Sequence, residues 1–287
     1  MDLQSLIDHP SKLPTVPRVA QRVIASLKSE TVKISEIADL IEADPVLSAN
    51  LLRLANSAYF QVSRSVDTVG DAIQILGITL VRQLVLMGGM VSSFNQTPGI
   101  DLHQFWTHSL YTACAARWLA EHCAVNPELA FTLGLMQGIG ELHLHSAAPS
   151  AMVALDKRVH ILAAERLRHE ADALGFNYLN VSAALARLWN FPDSLIEPLA
   201  QIGDPLATPA FAALAAVVHL GMWCARHEVL ATSKEEMSRS YPHAIGDRLG
   251  LDCASVLPRQ NRELGTTQKK AMPTLHELAN GLDAMLG

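Results

Sequence analysis

The amino-acid sequence predicts an all-α protein of two packed helical lobes. Three observations carry that expectation. Apolar residues recur at spacings of three and four along most of the 287-residue chain, which places them on one face of a helix. Alternating β-branched runs, the pattern of half-buried strands, are scarce. Helix-start signals, a capping side chain followed by proline or by an acidic residue, recur along the chain.

The elements follow in order. Asp44-Pro45 supplies an N-cap and a proline at the first helical position, and VLSANLLRLAN continues as a helix. Thr68 with Asp71 opens the helix DAIQILG, and Gly77 is placed to stop it. The polar stretch from Ser93 to Asp101 contains Pro98-Gly99 and predicts the boundary between the lobes. A second lobe starts at about Leu102. Asn126-Pro127 repeats the cap-plus-proline device before ELAFTLGLM, and Thr208-Pro209 repeats it before AFAALAAVVHL. Ser233 with Glu236, and Thr274 with Glu277, predict two short helices near the C-terminus. Charge rises between residues 228 and 240, and the polar segment from Leu257 to Met272 predicts a loop. The expected division is a first lobe over 1–97, a second over 102–228 and a helical extension over 229–287. No internal repeat is present.

Composition narrows the function classes. Hydrophobic residues make up 49% and charged residues 17% of the chain, so a dense core is expected rather than disorder. The net charge is −6, with both signs interspersed and no basic cluster, so no nucleic-acid partner is expected. Cys114, Cys123, Cys224 and Cys253 form no CxxC pair and read as free thiols in a reducing cytoplasm. The N-terminus lacks the basic and apolar regions of a signal peptide. The longest apolar stretch, Ala210 to Ala225, is short for a membrane span and contains His219, so it reads as a core helix.

The segment GLMQGIGELHLH, residues 134 to 145, raises the question of chemistry. It holds three glycines inside an apolar helical pattern, followed by Glu141, His143 and His145. The two histidines lie about 200° apart on a helix, so they cannot chelate one ion. Gly134, Gly138 and Gly140 are expected to let helices approach closely. Three further pairings are set aside. Cys224 and His227 share a helix face but lack two further ligands. Glu165 and His169 read as a solvated i,i+4 pair. Ser109 has no nucleophile-elbow context. The segment ISEIADLIEADPVLSANLLRLAN has the form of a helix-turn-helix. Its second helix is dominated by Val46, Leu47, Leu51, Leu52 and Leu54, with Arg53 as its only cation. That is too few polar side chains for a recognition helix.

The most specific stretches are DPVLSANLLRLANSAYF and AIQILGITLVRQLVL, followed by FWTHSLYTACAARWLA, AFTLGLMQGIGELHL and GFNYLNVSAALARLWNFPDSLIEPLAQIGDP. In this order they resemble the HDOD domain, a signalling relative of the HD phosphohydrolases, over roughly residues 10 to 228. The resemblance implies an all-helical fold, the second lobe being similar to the HD domain. It also implies the place of a metal site. Catalytic HD enzymes hold a divalent ion with one histidine, an adjacent His-Asp pair and a distant aspartate, because imidazole and carboxylate suit such ions.

Here His108 matches the first histidine, but Gln137-Gly138 stands where the His-Asp pair falls. Tyr178 occupies a further histidine position, Ile202 and Gly203 precede the Asp-Pro pair, and Met222 stands at the final aspartate. No metal, no cofactor and no enzyme activity are therefore expected. The resemblance implies a cytoplasmic bacterial signalling module, related to two-component or cyclic-nucleotide signalling. It would act through protein partners, a second copy of the chain being one option. Arg53, Asn56, Ser57 and Tyr59 are the candidate contact residues, with capping of the helix end as the competing role for Asn56 and Ser57. A divergent phosphohydrolase is the alternative, and a DNA-binding regulator the third.

Overall fold

The computed structural model describes residues 2–7, 13–28, 33–57, 60, 62, 65–207, 209–256, 272 and 274–279. Helices are the only regular elements among them. The first lobe comprises α1 (Leu3–Ile7), α2 (Arg18–Lys28), α3 (Ile34–Glu42), α4 (Pro45–Ala55), α5 (Val69–Leu76) and α6 (Ile78–Ser93). The second holds α7 (Leu102–His122), α8 (Pro127–Met136), α9 (Ile139–Ala147), α10 (Pro149–Asp156), α11 (Arg166–Leu174), α12 (Tyr178–Leu188), α13 (Asp193–Gln201) and α14 (Ala213–Val229). Four short helices follow: α15 (Lys234–Arg239), α16 (His243–Leu249), α17 (Cys253–Val256) and α18 (Leu275–Ala279).

The caps act as their side-chain chemistry dictates. Asp44 accepts from the backbone N–H groups of Val46 and Leu47, Asn126 from Glu128 and Leu129, Thr68 from Asp71, and Ser233 from Glu236. Each satisfies N–H groups that a helix start leaves without partners. Gly77 ends α5 at φ +78°, a conformation glycine adopts at little cost. There α5 and α6 bend by 113° relative to each other. No single helix among the described residues is long and apolar enough to cross a membrane.

One helix start differs from expectation. α14 begins at Ala213, not just after Pro209. Residues 209–212 are irregular, and the Phe211 ring lies 4.9 Å beneath the Arg248 guanidinium of α16. That tertiary contact outweighs the local start signal at Pro209. Thr208, the expected cap, lies outside the described residues, as do residues 257–271 of the expected loop and the Glu277 side chain.

The core is continuous from α1 to α18. α7 runs through its centre, packed against α8 and α14, and α18 returns to pack on α7. α6 and α7 are separated at residues 94–101, where the boundary between the lobes was expected. A polar clasp crosses it: Gln83 of α6 donates to Glu128 of α8 at 2.8 Å and accepts from Arg117 of α7 at 3.3 Å.

Candidate functional site

The stretch that resembles a catalytic helix is a break between two. α8 ends at Met136, Gln137 and Gly138 form the turn, and α9 begins at Ile139. The glycines sit at the closest approaches. A Cβ on Gly134 would stand 2.7 Å from Ala113 Cα of α7. One on Gly140 would stand 2.0 Å from the Tyr178 carbonyl oxygen and 2.6 Å from Ser182 N, both on α12. Ser182 locks the approach: its Oγ accepts from Gly140 N–H at 2.8 Å and donates to the Gln137 carbonyl at 2.7 Å. One on Gly138 would meet the Phe105 ring at 2.8 Å.

His108, Gln137, Gly138, Tyr178 and Met222 all line one cavity of about 150 Å³ between α7, the α8–α9 turn, α12 and α14. The topology thus gathers five positions spread over more than a hundred residues. Two residues that sequence reasoning did not single out as site residues, His219 and Arg226, line it too. The signal was present, because His219, Met222 and Arg226 follow i, i+3, i+7 spacing and so share one face of α14.

The electrostatics of the cavity follow from burial and from Arg226. His108 is buried and pushed down to about 3, by loss of solvent and then by the Arg226 charge; a bond to the Met222 carbonyl offsets this in part. Burial likewise lowers His219, whose Nδ1 bonds the Ile202 carbonyl at 2.8 Å. Burial raises the Tyr178 phenol, which stays protonated. A histidine held so low is a poor base near neutral pH.

These residues do not fit the metal that the HD fold suggests. Two imidazoles fall short of the three or four ligands such an ion needs. The Gln137 amide is a weak substitute, and the Arg226 guanidinium opposes a second cation. Glu141, the one carboxylate lining the cavity, is engaged elsewhere.

That engagement is a buried network that sequence reasoning missed. Arg166 bonds the carboxylates of Glu141, Asp156 (2.8 Å) and Glu170 (2.7 Å), and the Val159 carbonyl at 3.1 Å. Arg166 and Glu170 lie at i,i+4 on α11, one residue along from the Glu165–His169 pair noted in the sequence. The buried face of α11 is therefore offset by one position, which periodicity alone does not fix in so polar a helix. Ligand atoms of Glu141, His145 and Asp156 lie within 4.8 Å of one another, close enough for an ion. Arg166 already bonds both carboxylates, so a cation there would have to displace a guanidinium. His143 faces the other way, toward the Leu6 carbonyl at 3.5 Å.

Burial raises both Glu141 and Glu170 above the usual 4.5. Both Glu170 oxygens accept N–H bonds, from Arg166 and from Tyr178 N at 2.6 Å. The two carboxyls face each other, and burial together with their mutual repulsion makes the pair retain a proton, with Glu170 the more strongly raised. The folded state then binds more protons than the unfolded state above the usual carboxylate range, so stability falls as pH rises through it. Glu141→Gln keeps a donor toward Glu170 and is expected to flatten that slope. Urea midpoints between about pH 5 and pH 8 read it. A slope unchanged in the variant would place the proton elsewhere.

The remaining candidates separate. Asn56 is a tie within the first lobe: its amide donates to the Leu52 and Val66 carbonyls and accepts from Val66 N–H at 2.8 Å. It is the C-cap of α4, with a φ of −87°. Here the side chain, rather than a backbone reversal, closes the helix end. Ser57 Oγ is buried without a hydrogen bond, and Arg53 bonds Asn50. Tyr59 lies outside the described residues. His227 bonds Thr232 and Ser240, and Cys224 faces the Val256 carbonyl, so that pair fastens the C-terminal helices.

Comparison with known proteins agrees with this geometry. The chain is 24% identical to a candidate phosphohydrolase from Shewanella amazonensis SB2B, with a TM-score of 0.74, covering 99% of this chain and 95% of that one. A candidate signal transduction protein from Marinobacter aquaeolei VT8 is 22% identical, with a TM-score of 0.73, covering 99% of this chain and 64% of that one. At these identities the likeness shows the fold alone. An uncharacterized protein of Treponema pallidum (strain Nichols) is 25% identical over 201 residues, 68% of this chain but only 38% of that protein. The family model for the HDOD domain matches residues 13–205, and the chain belongs to that family.

Proposed function

We propose that the protein is a non-catalytic HDOD module that regulates bacterial signal transduction through contacts with protein partners. The observation that carries this reading is the Arg226 guanidinium lining the cavity where HD enzymes keep a cation. The surrounding imidazoles are few and held neutral. A metal-activated water is what makes phosphoester hydrolysis fast near neutral pH, and nothing in the cavity replaces it. The candidate signal transduction protein from Marinobacter shares the fold, which is consistent with such a role.

The test is hydrolysis of phosphomonoesters, phosphodiesters and cyclic dinucleotides with Mn²⁺ or Mg²⁺, alongside elemental analysis. Background rates, no bound stoichiometric metal and no change in His108→Ala are expected. Restoring Gln137→His with Gly138→Asp is not expected to create activity, because Tyr178 and Met222 still occupy ligand positions. Turnover that disappears in His108→Ala would decide for the phosphohydrolase reading.

A further inference from the structure

We infer that the cavity around Arg226 binds a compact phosphoryl anion, as free phosphate or as the terminal group of a small phosphomonoester. Arg226 is half-buried on α14 and forms no ion pair or hydrogen bond among the described residues. The exposed Glu165 is near enough to act on its charge but makes no ion pair with it. A guanidinium carries five N–H donors in a planar fork that matches phosphate oxygens. The fork lines the cavity with its donors still reachable by solvent, so an anion there can take the place of water on them.

The other polar groups specify which anion. Gln137 is 2% exposed, lines the cavity, and its Oε1 has no hydrogen-bond partner. His219 Nδ1 faces the Ile202 carbonyl, so its proton belongs on Nδ1 and Nε2 is left as an acceptor. His108, held neutral by burial, keeps one acceptor nitrogen. The cavity therefore offers donors, from Arg226 and the Tyr178 hydroxyl, and also acceptors, from Gln137, His108 and His219; the Glu141 carboxyl that also lines it is held by Arg166 and Glu170.

A carboxylate or a sulfate near neutral pH offers acceptors only and would leave the Gln137 oxygen and both imidazoles unsatisfied. A phosphate carrying one proton offers oxygens to Arg226 and a P–OH to an acceptor. Being tetrahedral, it can also address groups arriving from α7, the α8–α9 turn, α12 and α14 at once. A cavity of about 150 Å³ suits a group of that size and excludes a whole nucleotide. Binding needs no turnover, so the site can act as a sensor in a chain that hydrolyses nothing, and it stands whether or not the partner contacts do.

The experiment is calorimetric titration of the full chain with inorganic phosphate, glycerol phosphate, sulfate and acetate, repeated on Arg226→Met, Arg226→Lys and Gln137→Leu. Circular dichroism checks that each variant is folded. The expected result is saturable binding of phosphate or its monoester in the millimolar range or tighter. Sulfate and acetate should bind at least about tenfold more weakly, since each leaves buried acceptors unpaired. Binding should be lost in Arg226→Met and weakened in Arg226→Lys, which keeps the charge without the fork. Gln137→Leu should narrow the gap between phosphate and sulfate. No binding of either phosphoryl compound, sulfate bound as well as phosphate, or phosphate bound equally by a folded Arg226→Met would each overturn the inference.

Discussion

Gly140→Ala is expected to destabilise the native fold severely. The added Cβ would stand 2.0 Å from a backbone oxygen of α12, and 2.6 Å from the Ser182 amide nitrogen. Neither obstacle is a side chain that can rotate away. Relief requires α9 and α12 to separate, which breaks the bond from Gly140 N–H to Ser182 Oγ and disturbs the one from Ser182 Oγ to the Gln137 carbonyl. Overpacking costs about 1–3 kcal/mol when side chains can adjust. With backbone displacement and lost buried hydrogen bonds added, about 4 kcal/mol or more is expected, a large part of a typical domain's stability. Gly70, exposed in α5 with nothing within 4 Å of its Cβ position, is the internal control. Gly70→Ala should raise stability by about 0.5–1 kcal/mol, because alanine loses less backbone freedom in a helix. Urea unfolding followed by circular dichroism reads both. A Gly140→Ala midpoint equal to that of the wild type would show that the two helices are not locked.

Arg166→Met is the second large effect. It removes the one guanidinium that bonds Glu141, Asp156 and Glu170, two of which are almost fully buried. Methionine fills much of the same volume, so the loss is mainly electrostatic. Removing one partner of a buried ion pair costs about 3–5 kcal/mol, because the charges left behind keep their desolvation penalty without the attraction. The same reasoning fixes the pH dependence. Without Arg166 the buried carboxyls hold protons to still higher pH in the folded state than in the unfolded state. The deficit should therefore shrink as pH falls toward the carboxylate range and widen as pH rises. Unfolding at about pH 5 and pH 8 measures it. An equal deficit at both would assign the effect to packing instead.

The sequence by itself determined the helical class and most of the helix starts that it marked with a cap. Caps are local: Asp44, Thr68, Asn126 and Ser233 bond amides two or three residues away, and such contacts can be read from a short window. His108, Gln137, Gly138, Tyr178 and Met222 were found through the resemblance of the motif order to a family, and they do line one cavity. Only the tertiary structure decided what else lines that cavity. Arg226 and His219 reach the cavity because α14 packs against α7 with that face inward. Arg166 and Glu170 are buried because α11 docks on the side of α9 that carries Glu141. Each is a charged or polar residue in a helix whose own pattern does not announce which face turns in. The physical reason is that the face a helix turns inward is set by its contacts with other helices, such as the one from Arg166 to Glu141, 25 residues away.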